Sequence, residues 1–74
     1  MNNTRRKLLK EASELADKAK CLVEQAKEEE QECFDNLSDG LQLSERGRTL
    51  EENVYALDEI IDNLDSAIDL LGEL

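Results

Sequence analysis

Between Leu50 and Leu71 an apolar residue recurs at intervals of 4, 3, 4, 3, 4 and 3 without a fault: Leu50, Val54, Leu57, Ile61, Leu64, Ile68, Leu71. Residues three and four apart share one face of an α-helix, so this period marks the seam of a helix that packs on another helix. A half-buried strand would alternate every second residue. Ile60, Ala67 and Leu74 flank the seam. The chain has no Pro and only three Gly, so little in it breaks long helices.

A second periodic segment precedes it. Leu8, Ala12, Leu15, Ala19, Leu22, Ala26 and Cys33 follow the same spacing, interrupted once where Glu29 takes an apolar place. Leu9, Ala16 and Val23 widen this stripe on one side. Asn3 or Thr4 can cap the helix, and Lys7/Glu11, Lys10/Glu14, Glu14/Lys18 and Lys20/Glu24 are spaced to support its surface. The stretch "NLSDGLQL" from Asn36 to Leu43 loses the period and carries turn residues in Ser38, Asp39 and Gly40. A helix starts after it, at Ser44 or at Thr49, where "TLEE" makes a capping box with Glu52; Ser44 is preferred.

These patterns predict one all-α domain, residues 1–74: a helix over 4–34, a connector over 35–43 and a helix over 44–72. A short connector makes the helices an antiparallel two-helix hairpin. The first seam is expected to face the second, its alanines letting the axes approach. Leu9, Ala16, Val23, Ile60, Ala67 and Leu74 then exceed what one hairpin can bury. They are expected to form the interface of a homodimeric four-helix bundle, because a chain of this size is marginal alone.

Charge narrows the functions. The chain holds 19 acidic and nine basic residues, a net charge of −10, which argues against direct nucleic-acid binding because phosphates would be repelled. It has no His, no Trp and no Gly-rich phosphate loop, so no enzyme and no cofactor are expected. Cys21 and Cys33 lie about 18 Å apart by helical rise, too far for a disulfide or a shared metal site. Free thiols are expected, with Cys33 filling the core. No run of 18 apolar residues and no signal-peptide core occurs, so the chain is expected to be soluble and cytoplasmic, without a membrane partner.

Three surface features admit a functional reading beside a plain solvated one. Asp58, Asp62, Asp65 and Asp69, spaced 4, 3 and 4, form a line of negative charge in a stretch with no cation after Arg48. Such a line could dock on a basic protein surface or imitate a phosphate backbone. Residues 1–20 carry six basic and three acidic side chains, starting with Arg5, Arg6, Lys7 and Lys10. Either they pair with the acidic end of the second helix, or they hold an anion such as a nucleotide. "SERGR", residues 44–48, adds Arg46 and Arg48, for pairing with nearby glutamates or for that same anion. Phe34 and Tyr55, the only aromatics, are expected to be packing residues.

Asn36, Leu37, Leu41, Gln42, Ser44, Glu45, Arg46 and Gly47, followed by the Asp/Glu and Leu/Ile tail, resemble the pattern of small acidic helical-hairpin proteins encoded by phages and mobile elements of Firmicutes. Ser38 stands where such proteins often have Pro. The resemblance brings no activity with it. It implies the interior of a bacterial host cell and a non-enzymatic protein that binds and inhibits a host protein, as small acidic phage proteins often do. An oligomeric sponge for an anionic nucleotide, using Arg5, Arg6, Lys10, Arg46 and Arg48, and a structural assembly part are the alternative functions.

Overall fold

The structure, a computed structural model, covers Met1–Leu74 and is all-α, with no strand. Helix α1 spans Asn3–Asp35, a single turn α2 spans Asp39–Gln42, and α3 spans Glu45–Gly72. The two long helices pack side by side into a rod of 58 × 14 × 13 Å. Their directions are opposed: Lys20 meets Asp65, Lys27 meets Asp58 and Glu30 meets Asn53, residue numbers rising on one helix as they fall on the other. No helix is long and apolar enough to cross a membrane.

Each helix end is closed by identifiable chemistry. Asn2, rather than Asn3 or Thr4, caps α1, its side-chain oxygen accepting from the Arg5 amide at 2.9 Å. The first turn of α1 holds Arg5 and Arg6, which the positive end of the helix dipole disfavours. The last turn of α3 holds no cation to favour its negative end. Packing the helices antiparallel offsets part of both defects, since the Arg6 guanidinium donates to the Leu74 carbonyl at 3.1 Å. Ser44 caps α3, its hydroxyl donating to the Leu41 carbonyl and accepting from the Gly47 amide. Thr49 lies inside α3, its hydroxyl donating to the Glu45 carbonyl, and is not a cap.

The connector holds more structure than its turn residues suggest. Ser38 caps the four-residue α2, and the Gln42 side-chain amide donates to the Phe34 carbonyl at 3.2 Å, tying α2 to the end of α1. Gly47 is the one buried residue of the chain. A Cβ there would sit 2.7 Å from the Gln42 Cα and closer still to its carbonyl group. The link between α2 and α3 therefore requires glycine.

The α3 seam faces α1 as its period implies: Leu50, Val54, Leu57, Ile61, Leu64, Ile68 and Leu71 are all half-buried. The α1 seam does not follow its expected row. Leu8, Leu15 and Leu22 are 61%, 61% and 63% exposed, and Cys33 is exposed rather than core filler. The half-buried row is Leu9, Ser13, Ala16, Lys20, Val23, Lys27, Glu30 and Phe34, again spaced 4 and 3 but shifted by one residue. Leu9, Ala16 and Val23, expected at an interface between subunits, thus lie along the contact with α3. Small Ser13 and Ala16 let the axes approach, and the stems of Lys20 and Lys27 cover the seam while their ammonium groups reach out to Asp65 and Asp58. That row continues through Phe34 and Leu37, both half-buried, whereas the Leu8 row breaks at Glu29. Tyr55 is 73% exposed and contributes no core packing.

Glycine substitutions test the connector. Gly to Ala in a helix ordinarily stabilises by up to about 1 kcal/mol. Gly40, with open space around its Cβ position, should follow that rule or stay neutral, whereas Gly47→Ala should reverse the sign and lower the melting temperature. Thermal denaturation of the two variants checks this, and equal stabilisation by both would contradict the packing at Gly47.

Candidate interaction surfaces

The helix pair has two broad sides of opposite character. The Lys20–Asp65 and Lys27–Asp58 ion pairs mark one side and the Asn53–Glu30 hydrogen bond, 2.7 Å, marks the other. Heptad positions extend each side along the rod. The ion-paired side gathers Asp17, Glu24 and Gln31 of α1 with Glu51, Asp58 and Asp65 of α3, and beyond them Glu14, Glu28, Asp62 and Asp69. The opposite side gathers Ala12, Ala19, Ala26 and Cys33 of α1 with Asn53, Ile60 and Ala67 of α3, and beyond them Leu8, Leu15, Leu22 and Glu29 of α1 with Ala56, Asn63 and Leu70 of α3. A shallow groove runs along each side. Lys27, Gln31, Phe34, Glu51, Val54, Tyr55 and Asp58 line one, and Ala26, Glu30, Asn53, Ala56 and Leu57 line the other.

On the acidic side the four aspartates are not equivalent. Asp65 accepts from the Lys20 ammonium at 2.6 Å and Asp58 from the Lys27 ammonium at 2.5 Å. Asp62 and Asp69 are exposed and form no ion pair. The continuous line of charge is therefore half neutralised from α1, and the two free carboxylates sit on its outer edge. The hydrogen bond to Asp65 holds the Lys20 ammonium above its ordinary value of 10.5; desolvation opposes it, and the charges of Asp65, Glu24 and Asp17 add to it. None of the four expected pairs along α1 forms; Lys20 reaches across to Asp65 instead of along the helix to Glu24. In three of those pairs, Lys7/Glu11, Lys10/Glu14 and Lys20/Glu24, Lys precedes Glu, the weaker order.

The five cations of the anion hypothesis are not brought together. Arg5, Arg6 and Lys10 sit at the end holding both termini, with Arg6 turned to the Met1 and Leu74 carbonyls. Arg46 and Arg48 start α3 at the far end of the 58 Å rod. A single chain therefore offers no one pocket made by all five. Ile60, Ala67 and Leu74 are exposed, Ile60 at 44% and Leu74 at 58%. No group of His, Cys, Asp and Glu has the geometry to hold a metal ion. A scan against protein-family models finds none that matches, and comparisons with curated proteins and with solved structures return no match.

The inequality of the aspartates has a measurable consequence. Asp58→Asn with Asp65→Asn should lower stability modestly, since solvent screens half-exposed ion pairs. Asp62→Asn with Asp69→Asn should cost nothing and could raise stability slightly through relief of repulsion between like charges three and four apart. The Lys20 pair should contribute fully below pH 10.5, where Lys20 is charged folded or unfolded, and be lost as pH rises through the higher folded value. Denaturant unfolding of the two double variants at neutral pH, and of the parent against pH, checks both statements.

Proposed function

We propose that the chain is a non-enzymatic acidic binding protein: a helical hairpin that pairs into a homodimeric four-helix bundle through its apolar side and binds and inhibits a host protein through its acidic side. The observation that carries this reading is the division of faces. A rod with carboxylates on one broad side and leucines on the other is built to be covered on the second and to present the first. Asp62 and Asp69 are the contact residues of the proposal, with Glu24 and Glu28 beside them, because Asp58 and Asp65 already have partners. A basic protein surface is the matching chemistry, and such a surface would be steered by charge. The resemblance to small acidic phage proteins supports inhibition of a bacterial target.

The test is capture and kinetics. Immobilised protein should retain a basic protein from bacterial lysate at low salt and release it as ionic strength rises, since exposed charges act within a Debye length of about 8 Å at 0.15 M. Against that captured protein, Asp62→Asn with Asp69→Asn should slow association several-fold while leaving dissociation nearly unchanged. Unchanged association would remove the acidic side from the proposed contact.

A further inference from the structure

We propose that a second copy of this chain covers the apolar side, and that the two copies lie reversed, with the terminal end of each against the connector end of the other. The inference rests on the homodimer reading above and deepens it by fixing the face and the orientation. The covered part of the face is that of Leu8, Leu15, Leu22, Ala67 and Leu70, whose leucines are each about three-fifths exposed, in a chain that buries no hydrophobic residue at all.

Along α1 this face reads Arg5, Leu8, Ala12, Leu15, Ala19, Leu22, Ala26, Glu29, with spacings of 3, 4, 3, 4, 3, 4 and 3. The spacing is the same in either direction. Reversing a second copy about the level of Asp17 sets Leu8 against Ala26, Leu15 against Ala19, and Leu22 against Ala12. Every leucine meets an alanine, so large and small side chains interdigitate across the helix crossing. The same operation sets Arg5 against Glu29 of the second copy at both ends of the row. Glu29, which interrupts the apolar period, thereby gains a cation. In the other two-fold arrangement, with like ends together, α1 faces α3 of the second copy and this pairing is absent.

Charge along the rod favours the same choice. Residues 1–20 and 65–74, which share the terminal end, carry six basic and six acidic side chains, whereas residues 21–64 carry three basic and 13 acidic, the whole net charge of −10. Like ends together would place two such regions side by side. Packed helices lie 8–10 Å apart, comparable to a Debye length of about 8 Å, so screening would not remove the repulsion. Reversal sets each acidic half largely against a neutral half.

Cys33 supplies the ruler, being exposed and near the connector end. In Cys21→Ser protein carrying a nitroxide on Cys33, sedimentation gives the mass and pulsed dipolar spectroscopy the distance. The reversed dimer puts the labels about 45–50 Å apart, 16 residues of rise on each side of the axis. A dimer with a distance under about 20 Å, the diagonal of a bundle with 8–10 Å helix spacing plus the label arms, overturns the orientation and leaves the homodimer standing. A species of 8.4 kDa overturns both.

Discussion

One residue of helical register decides what this molecule can do. Helix α3 has a single apolar row with Ile60, Ala67 and Leu70 off to one side, so its packing direction is fixed. Helix α1 has two rows one residue apart, about 100° around the helix, and only one can face α3. The structure uses the row of Leu9, Ala16, Val23 and Phe34, where Lys20 and Lys27 can reach Asp65 and Asp58. The row with more leucine is left on the surface. From that choice follow the acidic side, the apolar side and the lack of a buried core.

The energetic consequence is a helix pair that leaves much of its apolar surface uncovered. Full burial of a leucine is worth roughly 1.5–3 kcal/mol, so Leu8, Leu15 and Leu22, each about three-fifths exposed, leave about 1–2 kcal/mol apiece unrealised. The ion pairs between the helices cannot make up the difference, since solvent screens half-exposed pairs. What orders the pair is the α3 seam, the complementary ends at Arg6 and Leu74, and the tight connector held by Gln42, Ser44 and Gly47. A rod of this kind gains most by covering the Leu8 row.

Much of this architecture was legible in the sequence, for physical reasons that differ by element. The faultless period of 50–71 has one reading, and Ser44 announced its own cap. The face of α1 was not legible, because Leu8/Ala12/Leu15 and Leu9/Ala16/Val23 satisfy the same spacing rule. The row that packs on α3 includes two lysines and a glutamate, residues that an apolar count passes over. Glu29 interrupts the first row, but Lys20, Lys27 and Glu30 interrupt the second, so polar breaks alone did not separate them. The inequality of the four aspartates was hidden for the same reason, since Lys20 and Lys27 are remote in sequence from Asp65 and Asp58. The α2 turn was obscured by residues that serve equally in turns and in helix caps, Ser38 above all.

Small-angle X-ray scattering addresses the central claim, that the exposed leucine side is covered by a second copy, most directly. The single helix pair has a mass of 8.4 kDa, a radius of gyration of 17.0 Å over its Cα atoms and a length of 58 Å. Side-by-side pairing should double the scattering mass at tens of micromolar while lengthening the particle only slightly and thickening its cross-section. A concentration-independent mass of 8.4 kDa with the cross-section of one helix pair would contradict the account.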